Sequence, residues 1–130
     1  GDGAKGAASG DVEAEVAAAR APAGHPKGTF AQTDLAYRRQ LAGKRALQIV
    51  LAERSLALAA ARYELAKAKV VDDNSLPEAV DLTLEDFREA VEEAATEVAE
   101  TQREVDALGV RLTILKKAVH AARVASLRAQ

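Results

Sequence analysis

Apolar residues recur every seven positions in the C-terminal part of the chain, and this repeat constrains the fold more than any other feature. One set comprises Leu84, Val91, Val98, Val105, Leu112 and Val119. A second set follows three residues later each time and comprises Phe87, Ala94, Thr101, Leu108, Leu115 and Ala122. Two sets with this spacing occupy the a and d positions of a heptad, which is typical of a helix in a coiled coil. Residues 83–129 are therefore predicted to form one long helix that packs on another.

The partner helix is predicted over residues 33–71. This stretch contains no proline, is dominated by alanine and leucine, and opens with Thr33 and Asp34, which suit a helix start. Residues 72–82, which include Pro77, are predicted to form the turn. The predicted fold class is all-α, a long antiparallel two-helix hairpin with coiled-coil-like packing.

The contacts across the hairpin follow from pairing the two heptads. If the helices run antiparallel so that paired residue numbers sum to 157, large side chains meet small ones at most layers; Tyr63, for example, meets Ala94. The same pairing places the net basic residues 54–71 beside the net acidic residues 83–104. The predicted hairpin seam comprises Ile49, Leu56, Tyr63, Val70, Phe87, Val91, Val98, Val105, Leu108 and Leu112.

A second apolar stripe lies about 180° around the first predicted helix, where the hairpin partner cannot cover it. It is expected to be buried against another copy, within a larger assembly, or by residues 11–21 folding back as a third helix. That segment offers only Val12 and Val16 besides alanines, so self-association is favoured. The predicted assembly interface comprises Leu47, Leu51, Leu58, Leu65, Val110, Ile114 and Val124.

The N-terminal residues 1–32 are predicted to form a flexible tether that holds the short helix over residues 11–21. The opening GDGAKGAASG resembles the tether of mature bacterial lipoproteins next to their acylated cysteine, although the chain contains no cysteine. That resemblance implies a periplasmic, membrane-tethered protein, whereas a cytosolic arm would have the same composition. Residues 61–70, ARYELAKAKV, are similar in texture to the periplasmic hairpins of outer-membrane efflux channels and their adaptors, and we take no function from that likeness.

The sequence contains none of the common catalytic or metal-binding patterns. Neither His25 nor His120 has a His, Cys or Glu neighbour at helical spacing, and no glycine-rich phosphate loop or Ser–His–Asp set is found. The formal net charge of −2, from 18 basic and 20 acidic residues, gives no overall signature of nucleic-acid or membrane binding. We therefore predict a protein that is not an enzyme and uses no cofactor.

Basic residues concentrate at the predicted open end of the hairpin, where few acids oppose them. Because like charges repel, an acidic group is expected nearby: the DVEAEV segment of the arm, an anionic lipid surface, a protein partner or, as the weaker alternative, nucleic acid. This basic end comprises Arg38, Arg39, Lys44, Arg45, Arg111, Lys116, Lys117 and Arg123.

These features predict a structural or interaction module that self-associates or docks into a larger protein assembly through its second apolar stripe. The alternative is an amphipathic protein that coats lipid or polymer granules. Nucleic-acid binding through the basic end is a weaker alternative still.

Overall fold

The structure, a computed structural model, describes residues 12–17, 29–72 and 77–129. Residues 12–17 are helical (α1), α2 spans Phe30–Asp72 and α3 spans Pro77–Ala129. No strand occurs among these residues, and α2 packs against α3 as an antiparallel helical hairpin, which confirms the predicted fold class. The predicted tether before residue 12, residues 18–28 with His25, and the turn residues 73–76 lie outside the described residues.

A capping box fixes the start of α2. The backbone N–H of Thr29 donates to Gln32 Oε1 at 3.1 Å, and the backbone N–H of Gln32 donates to Thr29 Oγ1 at 3.3 Å. This reciprocal pair satisfies N–H groups that the first helical turn leaves without partners. The predicted cap, Thr33, instead lies inside the helix, where its hydroxyl donates to the carbonyl oxygen of Thr29 at 3.1 Å. The prediction therefore placed the start of α2 three residues too late.

α3 also begins earlier than predicted, at Pro77 rather than at residue 83. Proline suits the first turn of a helix because its missing N–H would have no partner there and its φ angle is already helical. Residue 83, the predicted start of this helix, consequently lies inside α3, and the predicted turn over residues 72–82 is too long.

The described residues form two compact units, each with its own apolar core. We call the described residues up to Ile49, together with 104–129, the terminal unit, and those within 50–103 the central unit. The apolar side chains that are buried in the terminal unit are Val16, Ala46, Leu47, Val105, Leu108, Leu112 and Leu115. Among the described residues of the central unit, the only buried apolar side chains are those of Leu58 and Leu84. The terminal unit, which includes α1, therefore has much the fuller core.

The burial of Val16 bears on the expectation that residues 11–21 fold back as a third helix. Its side chain is 7% exposed, and α1 belongs to the terminal unit. A valine on so short a helix can be buried only against other parts of its own unit. The N-terminal segment thus contributes an apolar side chain to the core of the terminal unit.

The stripe of α2 that is buried is the opposite of the one predicted for the hairpin seam. The four residues predicted for the seam are 49% to 72% exposed: Ile49, Leu56, Tyr63 and Val70. The four residues predicted for the assembly interface on α2 are buried or half-buried: Leu47, Leu51, Leu58 and Leu65. On α2 both predictions are therefore wrong, and the two stripes exchange roles.

The two stripes also differ at the N-terminal end of α2. Continued toward that end, the heptad of the predicted seam reaches Arg38 and Arg45, which are exposed. The heptad that is used instead reaches Gln40, which is buried, and Lys44, which is half-buried. Lys44 Nζ lies 3.5 Å from the position that a Cβ atom on Gly109 would take.

α3 presents its heptad positions inward. The buried members are Leu84, Thr101, Val105, Leu108, Leu112 and Leu115. The half-buried members include Phe87, Val91 and Val98. The polar side chain in this series, Thr101, has 0% exposure and therefore needs hydrogen-bond partners.

Thr101 finds those partners on both helices. Arg54 Nη1 donates to Thr101 Oγ1, and Thr101 Oγ1 donates to the carbonyl oxygen of Glu97 at 2.8 Å. The numbers of Arg54 and Thr101 sum to 155, and those of Lys44 and Gly109 sum to 153, both below the predicted 157. A lower sum agrees with the exchange of stripes, because Leu47 stands two residues before Ile49 on the opposite face.

Gly43 and Gly109 interrupt helices where alanine would serve, a pattern that predicts a close approach of the two backbones or a bend. A Cβ atom built on Gly109 would have Lys44 Nζ as its nearest neighbour, at 3.5 Å, which is an ordinary contact with a flexible side chain. The backbone of α2 therefore does not require a glycine at this position of α3.

Gly109→Ala should raise the free energy of unfolding by about 1 kcal/mol, because alanine is the better helix former and its methyl group fits beside Lys44. Urea denaturation followed by circular dichroism measures the change. Ala107→Gly, at an exposed position of the same helix, is the matched control and should lower stability by a similar amount. A Gly109→Ala protein no more stable than the wild type would mean that the site resists a methyl group.

Candidate functional site

The strongest candidate for an interaction surface is the stripe of α2 that the hairpin leaves exposed, which we call the outer stripe. Its members are Ile49, Ala52, Leu56, Ala59, Tyr63, Ala66 and Val70, and all are exposed. The large residues recur every seven positions, with an alanine three residues after Ile49, Leu56 and Tyr63. This is an a/d pattern, so α2 carries two coiled-coil faces and buries only one of them within the chain.

Tyr63, a member of the outer stripe, has charged neighbours on the same helix. Its side chain is 64% exposed, and Lys67 Nζ lies 5.1 Å from the centroid of its ring. The same ammonium group is 3.3 Å from Glu64 Oε1. An aromatic ring with a cation on one face and its hydroxyl within reach of solvent is typical of the residues that dominate protein interfaces.

A smaller apolar patch lies on α3 in the terminal unit. Val110 is 64% exposed and Ile114 is 57% exposed, and the neighbouring cations Arg111 and Lys117 are exposed as well. Val124, the third residue predicted for the assembly interface on α3, is half-buried. Val110 and Ile114 are thus accessible to a partner.

The terminal unit also contains an open cleft of about 420 Å³ between α2 and α3, which we call the basic cleft. It is lined by Phe30, Asp34, Tyr37, Arg38, Lys116, Val119, His120 and Arg123. Asp34 Oδ2 accepts from Arg38 Nε at 3.0 Å. Three cations and a histidine therefore surround a space with one carboxylate.

The basic end predicted from the sequence is only partly assembled at this cleft. Arg38, Lys116 and Arg123 line it, whereas Lys44 lies over Gly109. The remaining members are exposed and do not line the cleft: Arg39, Arg45, Arg111 and Lys117.

Sequence reasoning missed the other walls of the cleft, which are Phe30, Tyr37, Val119 and His120. One signal was available, because Lys116, His120 and Arg123 are spaced i, i+4 and i+7 and so share one face of a helix. That Phe30 and Tyr37 meet this face depends on how the two helices pair.

Within residues 12–17, 29–72 and 77–129, no three His, Cys, Asp or Glu side chains are grouped so that they could hold a metal ion. In the same residues, no helix combines the length and the apolar character needed to cross a bilayer. Comparison with protein-family models, with curated proteins and with solved structures finds no match. Function therefore has to be inferred from the outer stripe and the basic cleft.

Proposed function

We propose that this chain is a non-catalytic interaction module that self-associates through the outer stripe of α2. The observation that carries this proposal is a regular apolar stripe left in water, with Leu56 72% exposed and Tyr63 64% exposed. Each large side chain forgoes about 1.5–3 kcal/mol by remaining exposed. Because few apolar side chains of the central unit are buried, a second copy supplies cover that the single chain lacks.

The outer stripe is complementary to itself when two copies of α2 pair antiparallel. If paired numbers sum to 115, Leu56 of one copy meets Ala59 of the other, and Tyr63 meets Ala52. Ile49 and Ala66 form the next layer in the same way. A large side chain faces an alanine at each of these layers, so the helices approach closely without voids.

Charge on the flanks of the outer stripe favours the antiparallel arrangement over the parallel one. At the flanking positions of this antiparallel pair, where paired numbers sum to 117, Arg62 lies opposite Ser55 and Lys69 opposite Gln48, so no like charges meet there. In a parallel pair Arg62 would face Lys67, and Tyr63 would face its own copy. Like charges at such flanking positions are destabilising and select orientation in coiled coils.

The wild-type protein is expected to have a molar mass near twice the 13.7 kDa of the chain, as measured by light scattering at increasing concentration. Leu56→Glu with Tyr63→Glu should yield a monomer with helical content close to that of the wild type, because both side chains lie outside the hairpin core. The matched control, Ala57→Glu with Val71→Glu, adds two carboxylates at exposed positions beside the stripe. This control should remain dimeric.

Cysteine cross-linking tests the orientation, since the natural sequence contains no cysteine. A mixture of the Tyr63→Cys and Ala52→Cys proteins should form a disulfide-linked dimer under oxidising conditions. Tyr63→Cys alone should not, because the two copies of residue 63 lie about 16 Å apart along the helix axes of the antiparallel pair and face each other only in a parallel pair. Cross-linking of Tyr63→Cys alone would exclude the antiparallel arrangement.

A monomeric wild type at every concentration would contradict self-association. It would favour the second candidate function, an amphipathic protein that binds anionic surfaces. The exposed Val110 and Ile114 beside Arg111 and Lys117 support that alternative, because such a helix face inserts apolar groups while cations contact headgroups. Binding to phosphatidylglycerol vesicles that is lost on adding salt would identify it.

A further inference from the structure

The basic cleft of the terminal unit shares no residue with the outer stripe, and it has features of a ligand site. Its volume of about 420 Å³ falls in the range of pockets that hold small organic molecules. One wall comes from the N-terminal turns of α2 and the other from the last turns of α3. The α2 wall carries aromatic and charged side chains, and the α3 wall carries two cations and a histidine.

The charges around the cleft are unbalanced. Asp34 is engaged by Arg38, with the two polar atoms 3.0 Å apart. Lys116 and Arg123 have no ion pair with an acid among the described residues. All three cations are exposed, so water screens much of their mutual repulsion, and a bound anion would gain by contacting them together.

Small residues, Thr33 and Ala122, occupy heptad positions at this end of the terminal unit, whereas leucines occupy them at Leu47 and Leu108. The hydroxyl of Thr33 donates to the carbonyl oxygens of Thr29 and Phe30 in its own helix. The rings of Phe30 and Tyr37 are left half-buried at the cleft wall.

We propose that the basic cleft binds a phosphate group carried on an aromatic or acyl body. Arg38 and Arg123 offer planar guanidinium donors and Lys116 a compact ammonium, which together match the several oxygens of a phosphate. Phe30 and Tyr37 contact the apolar body of the ligand. A metal cation does not fit the cleft, because three cations line it against one carboxylate that Arg38 already engages.

The test is an NMR titration of the full chain with inorganic phosphate and with phenyl phosphate. Shifts should concentrate at Tyr37, His120 and their neighbours, and phenyl phosphate should bind about tenfold more tightly than inorganic phosphate because the ring contacts apply only to it. Tyr37→Ala should remove most of this preference while leaving inorganic phosphate binding nearly unchanged.

Charge variants locate the site. Lys116→Glu with Arg123→Glu should weaken phenyl phosphate binding by about tenfold or more, and Lys116→Gln with Arg123→Gln should weaken it less. Arg39→Glu with Arg45→Glu makes the same change in net charge on exposed positions of α2 outside the cleft. This control should bind phenyl phosphate as the wild type does. None of these residues belongs to the outer stripe, so a failure of self-association leaves this test intact.

Vesicles of phosphatidylglycerol distinguish a lipid phosphate from a soluble one. Vesicle binding that is lost in the Lys116→Glu, Arg123→Glu protein and retained in the control identifies a lipid headgroup as the ligand. Phenyl phosphate binding without cleft-dependent vesicle binding identifies a soluble organic phosphate. The proposal is overturned if neither probe perturbs the cleft, or if the control loses as much binding as the cleft variant.

Discussion

Leu58→Glu should unfold the helices of the central unit, whereas Leu56→Glu, two positions away, should leave them folded. Leu58 is 8% exposed and Leu56 is 72% exposed. A carboxylate at position 58 would replace a buried apolar side chain on the hairpin side and, even with Arg54 one turn before it, should cost several kcal/mol. Since Leu58 is one of the few buried apolar residues of its unit, little other packing compensates. Circular dichroism during thermal unfolding should show lost helix and a markedly lower Tm.

Leu56→Glu is the matched control, because it places the same charge on the same helix. It should change the Tm little in dilute protein and weaken only self-association. The reverse result, with Leu56→Glu unfolded and Leu58→Glu tolerated, would mean that α2 packs on α3 through Ile49, Leu56, Tyr63 and Val70. The stripe assignment of the structure would then be wrong.

Periodicity was sufficient to predict the fold class. α3 carries apolar residues at nearly every a and d position from Leu84 to Ala122, and such a repeat has few solutions other than a packed long helix. The proline-free run before it required a helical partner of similar length. A short connection between two helices makes them antiparallel neighbours, so the hairpin followed.

The choice of stripe on α2 could not be predicted by counting apolar residues. The stripe that packs on α3 is interrupted by Gln40, Lys44 and Arg54, whereas Ile49 to Val70 reads as an uninterrupted seam. Contacts with α3 accommodate two of these polar residues. Arg54 donates a hydrogen bond to Thr101, and the ammonium group of Lys44 lies beside Gly109, which has no side chain. Such compensation appears only once both helices are in place.

Polar residues in the seam also help to explain why one pairing is selected. A buried hydrogen-bonded pair such as Arg54 and Thr101 contributes little net stability, but shifting the helices would separate its members and leave them unsatisfied. In the terminal unit, the buried Gln40 Oε1 has no hydrogen-bond partner among the described residues. An unsatisfied acceptor of this kind lowers the stability of the folded state.

The starts of α2 and α3 could have been predicted from the sequence, whereas the residues that line the basic cleft could not. The pattern Thr29-x-x-Gln32 is a capping box, and Pro77 suits a first helical turn, so both starts could have been placed earlier. The cleft brings Phe30 and Tyr37 to residues 116–123, far apart in the chain. Which residues line the cleft depends on how α2 and α3 pair. The predicted pairing was wrong because the two stripes of α2 exchange roles.

Leu47→Ala should lower the free energy of unfolding by about 2–5 kcal/mol, because it leaves a cavity where a side chain is 1% exposed. Ile49→Ala is the matched control and should cost far less in dilute protein, since Ile49 is 49% exposed. Urea denaturation should be measured below the concentration at which the protein associates. Association would bury Ile49 and so raise the cost of Ile49→Ala. Equal losses at the two positions would show that the terminal unit buries both stripes of α2, and the outer stripe would then be confined to Leu56, Tyr63 and Val70. A larger loss for Ile49→Ala than for Leu47→Ala would contradict the observed orientation of α2 in this unit.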